Sequence, residues 1–428
     1  MSDFSHCRNL AAWLAAQEQN HPKDWDLGLE RITAVWQNLG APALADYIIS
    51  IAGTNGKGSC VSWAEAIAAA AGIDIASFSS PHLLDYPERI RFGGQNVAEE
   101  DLCRAFARID AAREGVSLSF FEWSALAAFV LMAEHKPQLA VLEVGLGGRL
   151  DAVNIQNADA TIFSRIGLDH QQWLGESVGE IAMEKAGIMR QGQRITIAYP
   201  DPPANFLQHA ESLSERVWLQ GRDFSFTAND GQVELKLPNL GTVLIDPPRY
   251  MHGEHQLGHL AAVAATIGEA FPLGAEQINI ASKTAHNFAR LTWLEEFVLI
   301  DVAHNQDSAA VLNKFLQEDE KLRKIRSRGG KIVAICAMLK DKDQEAFFAQ
   351  FSPASLDFWI LTATTGKRGL SSEELALKFK QSPLAESKFC TAPDIDAAIA
   401  CGREILQEGD VLLVTGSFLT VEAFLRRR

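Results

Sequence analysis

The chain has 428 residues, 47% hydrophobic and 22% charged, with a formal net charge of -15. That length exceeds one hydrophobic core of usual size, so two domains are expected, and the apolar content excludes a disordered chain. The acidic balance excludes a general nucleic-acid binder, which draws on clustered Lys and Arg.

In chain order, Met1 to Arg8 is polar and acidic with no apolar h-region, and no segment reaches the roughly 18 apolar residues needed to span a bilayer. Tyr47 to Ala52 (YIISIA) is a short β-branched run that passes through a Gly-rich turn into an Ala-rich stretch, Ser59 to Ala71, stopped by Gly72. That order is strand, loop, helix. Ile73 to Phe78, Leu139 to Val144, Ala160 to Ile166 and Ile195 to Ala198 read as further buried strands. Ser177 and Glu180 form a capping box at the start of a helix that ends near Gly187. From Asp201 to Tyr250 the pattern breaks into short alternating runs with turns such as Asn229-Asp230-Gly231, which predicts a small antiparallel excursion. A helix is expected from His255 to Phe271, and a fresh α/β series begins at Phe297 to Val302 and continues at Lys331 to Cys336, Phe358 to Leu361 and Val411 to Val414.

The expected fold class is α/β: an N-terminal P-loop-type parallel-sheet domain over residues 1–285, followed by a smaller C-terminal α/β, Rossmann-like domain over residues 286–428. The boundary is placed within Thr284 to Arg290, because a second parallel sheet starts immediately after it. The basic run Lys321 to Lys331 follows an acidic helix end and reads as a solvated linker. The six cysteines are scattered without a Cys-x-x-Cys pair, which argues against a disulfide or zinc framework and for a reducing, cytoplasmic location.

Gly53-Thr54-Asn55-Gly56-Lys57-Gly58-Ser59 follows a buried strand and opens a helix, the context a phosphate-binding loop requires. Glycines let backbone N–H groups converge on an anion, the helix N-terminus adds positive potential, Lys57 supplies a point charge, and Ser59 is a candidate Mg²⁺ ligand. The match to G-x-x-x-x-G-K-[ST] is imperfect, since Gly58 separates Lys57 from Ser59 and Ile51 takes the place of the first glycine. The bland alternative is an incidental Gly-rich turn, and the loop alone says only "nucleotide". Three more segments end or follow strands of the same sheet: Ser79 to His82, Glu143 to Arg149, and Asp169-His170 with Glu184-Lys185 beyond. A charged Glu143 after the apolar run Leu139 to Leu142 is costly unless paired or bound to a cation, and Mg²⁺ held with phosphates is the natural partner. Taken singly, His170 reads as a core histidine and Lys185 as a solvated helix residue.

Long stretches of text add to this: DLGLER (Asp26 to Arg31), AGTNGKGS (Ala52 to Ser59), SSPHLLDYPERIR (Ser79 to Arg91), SFFEW (Ser119 to Trp123), LEVGLGGRLDAVN (Leu142 to Asn154), GLDH (Gly167 to His170), EKAGI (Glu184 to Ile188), DVAHN (Asp301 to Asn305), MLKDKD (Met338 to Asp343) and GSF (Gly416 to Phe418). On these the sequence closely resembles the folylpolyglutamate synthase/dihydrofolate synthase family, relatives of the Mur ligases. The resemblance implies an ATP-dependent ligase of folate biosynthesis that joins dihydropteroate or a reduced folyl-glutamate to L-glutamate through an acyl phosphate. Thr54, Asn55, Gly56, Lys57, Gly58 and Ser59 would bind ATP; Ser80 and Glu143 would hold one Mg²⁺, His170 with Glu143 a second, and Lys185 would be carbamylated. Asp26, Leu27, Gly28 and Leu29, Ser119, Phe120, Phe121 and Glu122, and Arg149, Leu150 and Asp151 would line the pteroate pocket, with Phe121 stacking on the ring system and Asp151 accepting its hydrogen bonds. Asp301 would contact the nucleotide and His304 would face the cleft. The family's Asn in H-Q-x-x-N is His259 here, and its P-G-R-F segment reads Asn287-Phe288-Ala289-Arg290, where the retained Arg290 would, on the resemblance, contact phosphate. The family also implies a monomer acting on small molecules, with neither nucleic acid nor membrane as partner.

Three rivals bear on this reading. A Mur-type ligase for a cell-wall precursor is disfavoured by the SFFEW and LGGRLDAVN text; a P-loop kinase or switch gives no reason for a second domain carrying DVAHN; a binding protein with a decayed site conflicts with the joint presence of Lys57, Glu143, His170 and Lys185.

Overall fold

A run such as YIISIA, apolar at nearly every position, belongs in a strand covered on both faces, and it becomes the centre of a sheet. The computed structural model describes residues 7–20, 26–229, 231–366 and 368–428. Its strands are β1 (Tyr47–Ala52), β2 (Ile75–Phe78), β3 (Ile90–Phe92), β4 (Gln95–Asn96), β5 (Leu139–Glu143), β6 (Ala160–Phe163), β7 (Arg194–Ile197), β8 (Val217–Leu219), β9 (Ser225–Asn229), β10 (Gln232–Leu237), β11 (Gly241–Ile245), β12 (Thr292–Glu295), β13 (Val298–Ile300), β14 (Ile332–Cys336), β15 (Phe358–Thr362), β16 (Phe389–Ala392) and β17 (Val411–Thr415). They form an eight-stranded sheet in the order β4-β3-β2-β5-β1-β6-β7-β8, a three-stranded sheet β11-β10-β9 and a six-stranded sheet β12-β13-β17-β14-β15-β16.

The chain divides into two compact units. The first comprises the described residues up to Ile166 with Leu174–Arg249 and Glu254–His286; the second comprises Gly167–Trp173, Tyr250–Gly253 and Asn287–Arg428. In the eight-stranded sheet of the first, β5, β1, β6, β7 and β8 run parallel, β2 joins parallel to β5, and at the edge β3 pairs antiparallel with β2 and β4 antiparallel with β3. The parallel-sheet expectation therefore holds with an antiparallel edge. The antiparallel excursion is β9 to β11; of its expected turn Asn229-Asp230-Gly231, Asp230 lies outside the described residues, as does Met1 to His6 of the N-terminal reading.

Helix Lys57–Ala71 is stopped by Gly72 at φ 68°, a left-handed C-cap that glycine adopts without strain. Helix Phe120–His135 is buried almost all round, which explains why no helical periodicity betrays it. Its one sequence signal is the capping box of Ser119 and Glu122; the box at Ser177 and Glu180 forms as expected. In the second unit β13, β17, β14, β15 and β16 are parallel and β12 pairs antiparallel with β13, giving the smaller α/β domain. The basic run is mostly helix Glu320–Ser327, where Lys324 pairs with Glu320, Arg326 reaches the Ser355 carbonyl and Lys321 lies 3.7 Å over the Trp293 ring. It is thus a helix surface and not a linker. Among the described residues no helix is long and apolar enough to cross a membrane.

Candidate active site

Four loops of the first unit leave the carboxyl ends of the neighbouring strands β2, β5, β1 and β6. Side chains on them share one sheet edge, where ligands bind in parallel α/β folds. The loop after β1 holds itself open through its backbone: Thr54 and Asn55 N–H donate to the Arg165 carbonyl at 2.8 and 3.2 Å. Gly56 caps the following helix at φ 95°, a conformation L side chains resist. A Cβ there would also lie 2.3 Å from Cε1 of His259, so the imidazole rests directly on the loop. The Lys57 ammonium folds back onto the Gly53 and Thr54 carbonyls at 3.1 and 3.2 Å, gathered in the loop it would serve.

Helix Glu254–Ala270 supports this loop from behind. Gln256 donates from Nε2 to the Ser59 hydroxyl at 3.1 Å and accepts from the Trp63 indole at 3.3 Å. His259 is buried, its Nδ1 has no hydrogen-bond partner, and burial with the neighbouring His255 pushes its pKa down to about 3, so the ring is neutral. His259 thus packs on the loop, and Gln256, the Gln of the H-Q-x-x-N text, supports it although it was not singled out from sequence.

Glu143, the last residue of β5, is buried and accepts a hydrogen bond on Oε2 from the Ser80 backbone N–H at 3.3 Å. The structure thus brings Ser80 and Glu143 together. Asp151 is also buried, and burial pushes its pKa up to about 6 against the hydrogen bonds it accepts. Those come from the backbone: Gly145 and Leu146 N–H bond Oδ2 at 3.0 and 2.9 Å, and Val153 N–H bonds Oδ1 at 3.0 Å. Its first task is to fix the glycine-rich loop. Phe121 covers that loop from the other side, for a Cβ on Gly145 would meet the ring at 2.5 Å. Phe120 packs edge-on against Tyr86, and the buried Arg89 lies 5.4 Å over both rings while donating to His82 Nδ1 at 2.7 Å. Arg89 and His82 were not singled out as site residues from sequence.

Gly148 and the backbone of helix Val178–Ala186 are in close approach, with a Cβ on Gly148 only 2.9 Å from the Lys185 Cα and carbonyl oxygen. That contact seats Lys185, which is buried. Arg149 donates from Nε to Glu184 at 3.1 Å, and Leu150 follows it in the same turn. In the segment Asp26 to Leu29, which also carries Leu27 and Gly28, Asp26 pairs with Arg31 at 2.9 Å; Arg31 in turn pairs with Glu122 at 3.2 Å. Glu122 also accepts from the Ser119 N–H at 2.7 Å as helix cap, so this carboxylate ties the start of helix Phe120–His135 to Arg31. The signal for Arg31 was its place in DLGLER.

In the second unit, Asp301 accepts from Leu291 and Ala303 N–H, both at 2.8 Å, and burial raises its pKa against the pull of Arg290. This pins the turn carrying Arg290, whose guanidinium lies 5.2 Å over Phe418. Ala289 and Leu291 flank it at φ 61° and 47°, so the turn keeps a left-handed form at Ala289, where the resembling family has glycine. Asp169 and His170 cluster with this unit. Asp169 pairs with Lys342 at 2.7 Å and accepts from Asn305 Nδ2 at 3.1 Å, and the Lys342 ammonium is 3.3 Å from His170 Nε2. Burial would raise the Asp169 carboxyl, but Lys342 and the two histidines hold it well below the usual carboxylate range. His304 Nδ1 faces the Val302 carbonyl at 2.8 Å and so carries the proton, leaving Nε2 an acceptor; burial and Lys342 bring its pKa to about 3. Lys342 is a further residue not singled out from sequence, although it lies inside the quoted MLKDKD.

Among the described residues no group of three or more His, Cys, Asp and Glu side chains could hold a metal ion unaided. The donor set at β5 suits a cation completed by phosphate oxygens: one buried carboxylate, Glu143, beside Ser80 and the phosphate loop. That is how Mg²⁺ is usually bound.

The Mur ligase, glutamate ligase domain family matches residues 289–418. With the phosphate loop on the first sheet, this sets the class of the molecule as an ADP-forming ligase of the Mur type. The chain is 33% identical to the dihydrofolate synthase/folylpolyglutamate synthase of Escherichia coli over 96% of this chain and 94% of that one, and 34% identical to the Haemophilus influenzae protein of the same name over 97% and 96%. Its fold matches E. coli FolC in complex with DHPP and ADP at TM-score 0.90 with 31% identity over 98% of both chains. It matches the Yersinia pestis bifunctional folylpolyglutamate synthase/dihydrofolate synthase complexed with AMPPNP and Mn ion at 0.88, with 32% identity over 98% of each. The chain belongs to the dihydrofolate synthase/folylpolyglutamate synthase family.

Proposed function

We propose that the protein is an ATP-dependent ligase joining the carboxylate of dihydropteroate, or of a reduced folyl-glutamate, to the α-amine of L-glutamate, with release of ADP and phosphate. The observation that carries the reading is the sharing of one sheet edge by the phosphate loop after β1 and the Asp151-pinned glycine loop after β5, on the paired strands β1 and β5. A carboxylate lying along Phe121 is thereby brought to the end of a phosphate chain.

In this reading residues 1–285 bind ATP and pteroate, and residues 286–428 form the glutamate-ligase domain. Thr54 to Ser59 cradle the phosphates with backbone N–H groups, and Lys57 exchanges the loop carbonyls for phosphate oxygens. His259 and Asp301 contact the nucleotide, and Arg290 its phosphates. Ser80, Glu143, His170 and a carbamylated Lys185 hold two Mg²⁺ ions, which neutralise phosphate charge when bound. The carbamate turns a buried ammonium into an anionic oxygen ligand. Asp26 to Leu29, Ser119 to Glu122 and Arg149 to Asp151 line the pteroate pocket. The substrate carboxylate attacks the γ-phosphorus, ADP leaves, and the glutamate amine attacks the acyl phosphate carbonyl with loss of phosphate. His304, neutral with Nε2 an acceptor, receives a hydrogen bond from the incoming amine. Positioning and charge neutralisation supply most of the rate, as in other phosphoryl transfers. The enzyme acts as a cytoplasmic monomer.

The test is ADP release with ATP, Mg²⁺ and glutamate, adding dihydropteroate or tetrahydrofolate in turn, beside Lys57→Ala. Release that needs both glutamate and a pterin, and is lost in the variant, is expected. Turnover without glutamate overturns the reading.

A further inference from the structure

Six cysteines are spread along the chain, and two of them meet. Cys390 lies on β16, the edge strand of the second unit's sheet, and Cys401 on helix Ile395–Ile405, which packs on that sheet. Their thiol sulfurs are 3.1 Å apart, closer than two sulfurs in ordinary contact, and both residues are partly exposed free cysteines. A disulfide requires the sulfurs to close to about 2.05 Å, a shift of roughly 1 Å that side-chain rotation supplies. Of the other four, Cys60 and Cys336 are buried, and Cys7 and Cys103 belong to the first unit.

We propose that Cys390 and Cys401 are a redox-active pair that a small-molecule disulfide such as oxidised glutathione converts to an intramolecular disulfide, stapling the sheet's edge strand to its covering helix. One protein thiolate attacks the glutathione disulfide and expels a glutathione thiolate, leaving a mixed disulfide. The second thiolate then attacks the protein sulfur and expels the other glutathione. Two electrons pass from the cysteine pair to glutathione disulfide, and the two thiol protons end on the two glutathione molecules formed. Burial and the neighbouring thiol push Cys390 up to about 12, so the exchange is slow near neutrality and accelerates with pH. The staple closes a short loop on the sheet's free edge and restricts the unfolded chain, so the oxidised protein resists unfolding more than the reduced one. Neither cysteine belongs to the residues placed at nucleotide or substrate, and ligase turnover stays unchanged on oxidation.

The full-length protein is equilibrated with glutathione at graded reduced-to-oxidised ratios, alkylated and analysed by intact mass and peptide mapping. Alkylation of four thiols in place of six, with a Cys390–Cys401 cross-linked peptide and a raised melting temperature reversed by dithiothreitol, is expected. Cys390→Ser and Cys401→Ser should each leave a stable glutathione adduct on the remaining thiol, and the double variant should show no oxidation-dependent melting shift. Six alkylatable thiols at every ratio, glutathione adducts on the wild-type pair, or a Cys7–Cys103 cross-link in place of the expected one overturns the proposal.

Discussion

Asp151 and Asp301 stand in motifs quoted for ligand contact, yet both aim their oxygens at nearby backbone N–H groups. Each holds its own loop in shape. Asp151→Asn turns an amide NH₂ onto at least one of those donors. Since hydrogen bonds to a charged group are worth about 1.5–3 kcal/mol, stability should fall by about 2 kcal/mol. Pteroate-dependent kcat/KM should fall at least about tenfold, measured beside the ATP KM, which should move less. Lys342→Met removes the ammonium that neutralises the partly buried Asp169 carboxylate and should cost about 3 kcal/mol in chemical denaturation, most of it recovered by adding Asp169→Asn. At this scale the motif text located the residues and left their tasks open. Whether a carboxylate faces a ligand or its own loop depends on how Gly145, Leu146 and Leu291 fold back, which residue spacing does not reveal. Lys342 was hidden for a related reason: its partner Asp169 is remote in sequence, and neither residue type alone implies burial.

Elements were legible where periodicity and punctuation agreed, as in β1, its loop and the helix ended by Gly72. They were not where burial is complete or the strand very short. Helix Phe120–His135 has no polar face to reveal its period, and β3 and β4 are brief strands around Gly93-Gly94. The edge strands β12 and β16 are only half buried and carry no continuous apolar run. Tight element contacts are equally silent in sequence, and Gly148 is the sharpest. In Gly148→Ala the new methyl meets the Lys185 backbone, so helix Val178–Ala186 must shift. We expect a stability loss of about 1–3 kcal/mol and a drop in kcat exceeding the change in ATP KM, read by calorimetry and steady-state assays. Wild-type kinetics in this variant would show that the seat of Lys185 is not critical.

Over the whole molecule, each unit has its own hydrophobic cluster, one around Trp13, Phe106 and Trp123 and the other around Phe348, Trp359 and Phe379. The α/β class and the parallel sheets followed from alternating apolar runs. That Gly167–Trp173 and Tyr250–Gly253 associate with the second unit did not, because short connecting segments carry no core pattern. Acid should affect the first unit through Glu269. Burial raises that carboxyl, but hydrogen bonds from Arg194 and Arg216 outweigh it and hold the pKa below the ordinary 4.5. A depressed folded-state pKa gives stability that is complete above the unfolded value and is lost as pH falls through the folded one. Melting temperatures should therefore drop below about pH 4.5 with a slope that Glu269→Gln reduces; an unchanged slope would refute this role.

The adjacency of β2, β5, β1 and β6 has a consequence for how such a protein can change over time. Neighbouring strands are about 4.8 Å apart, so main-chain hydrogen bonds alone fix the spacing between the loop that takes phosphate and the loops beside it. Side chains on those loops can be exchanged without altering that ruler. Substitutions in the loop that carries Arg149 are thus open to selection, with the main-chain frame of the sheet inherited intact.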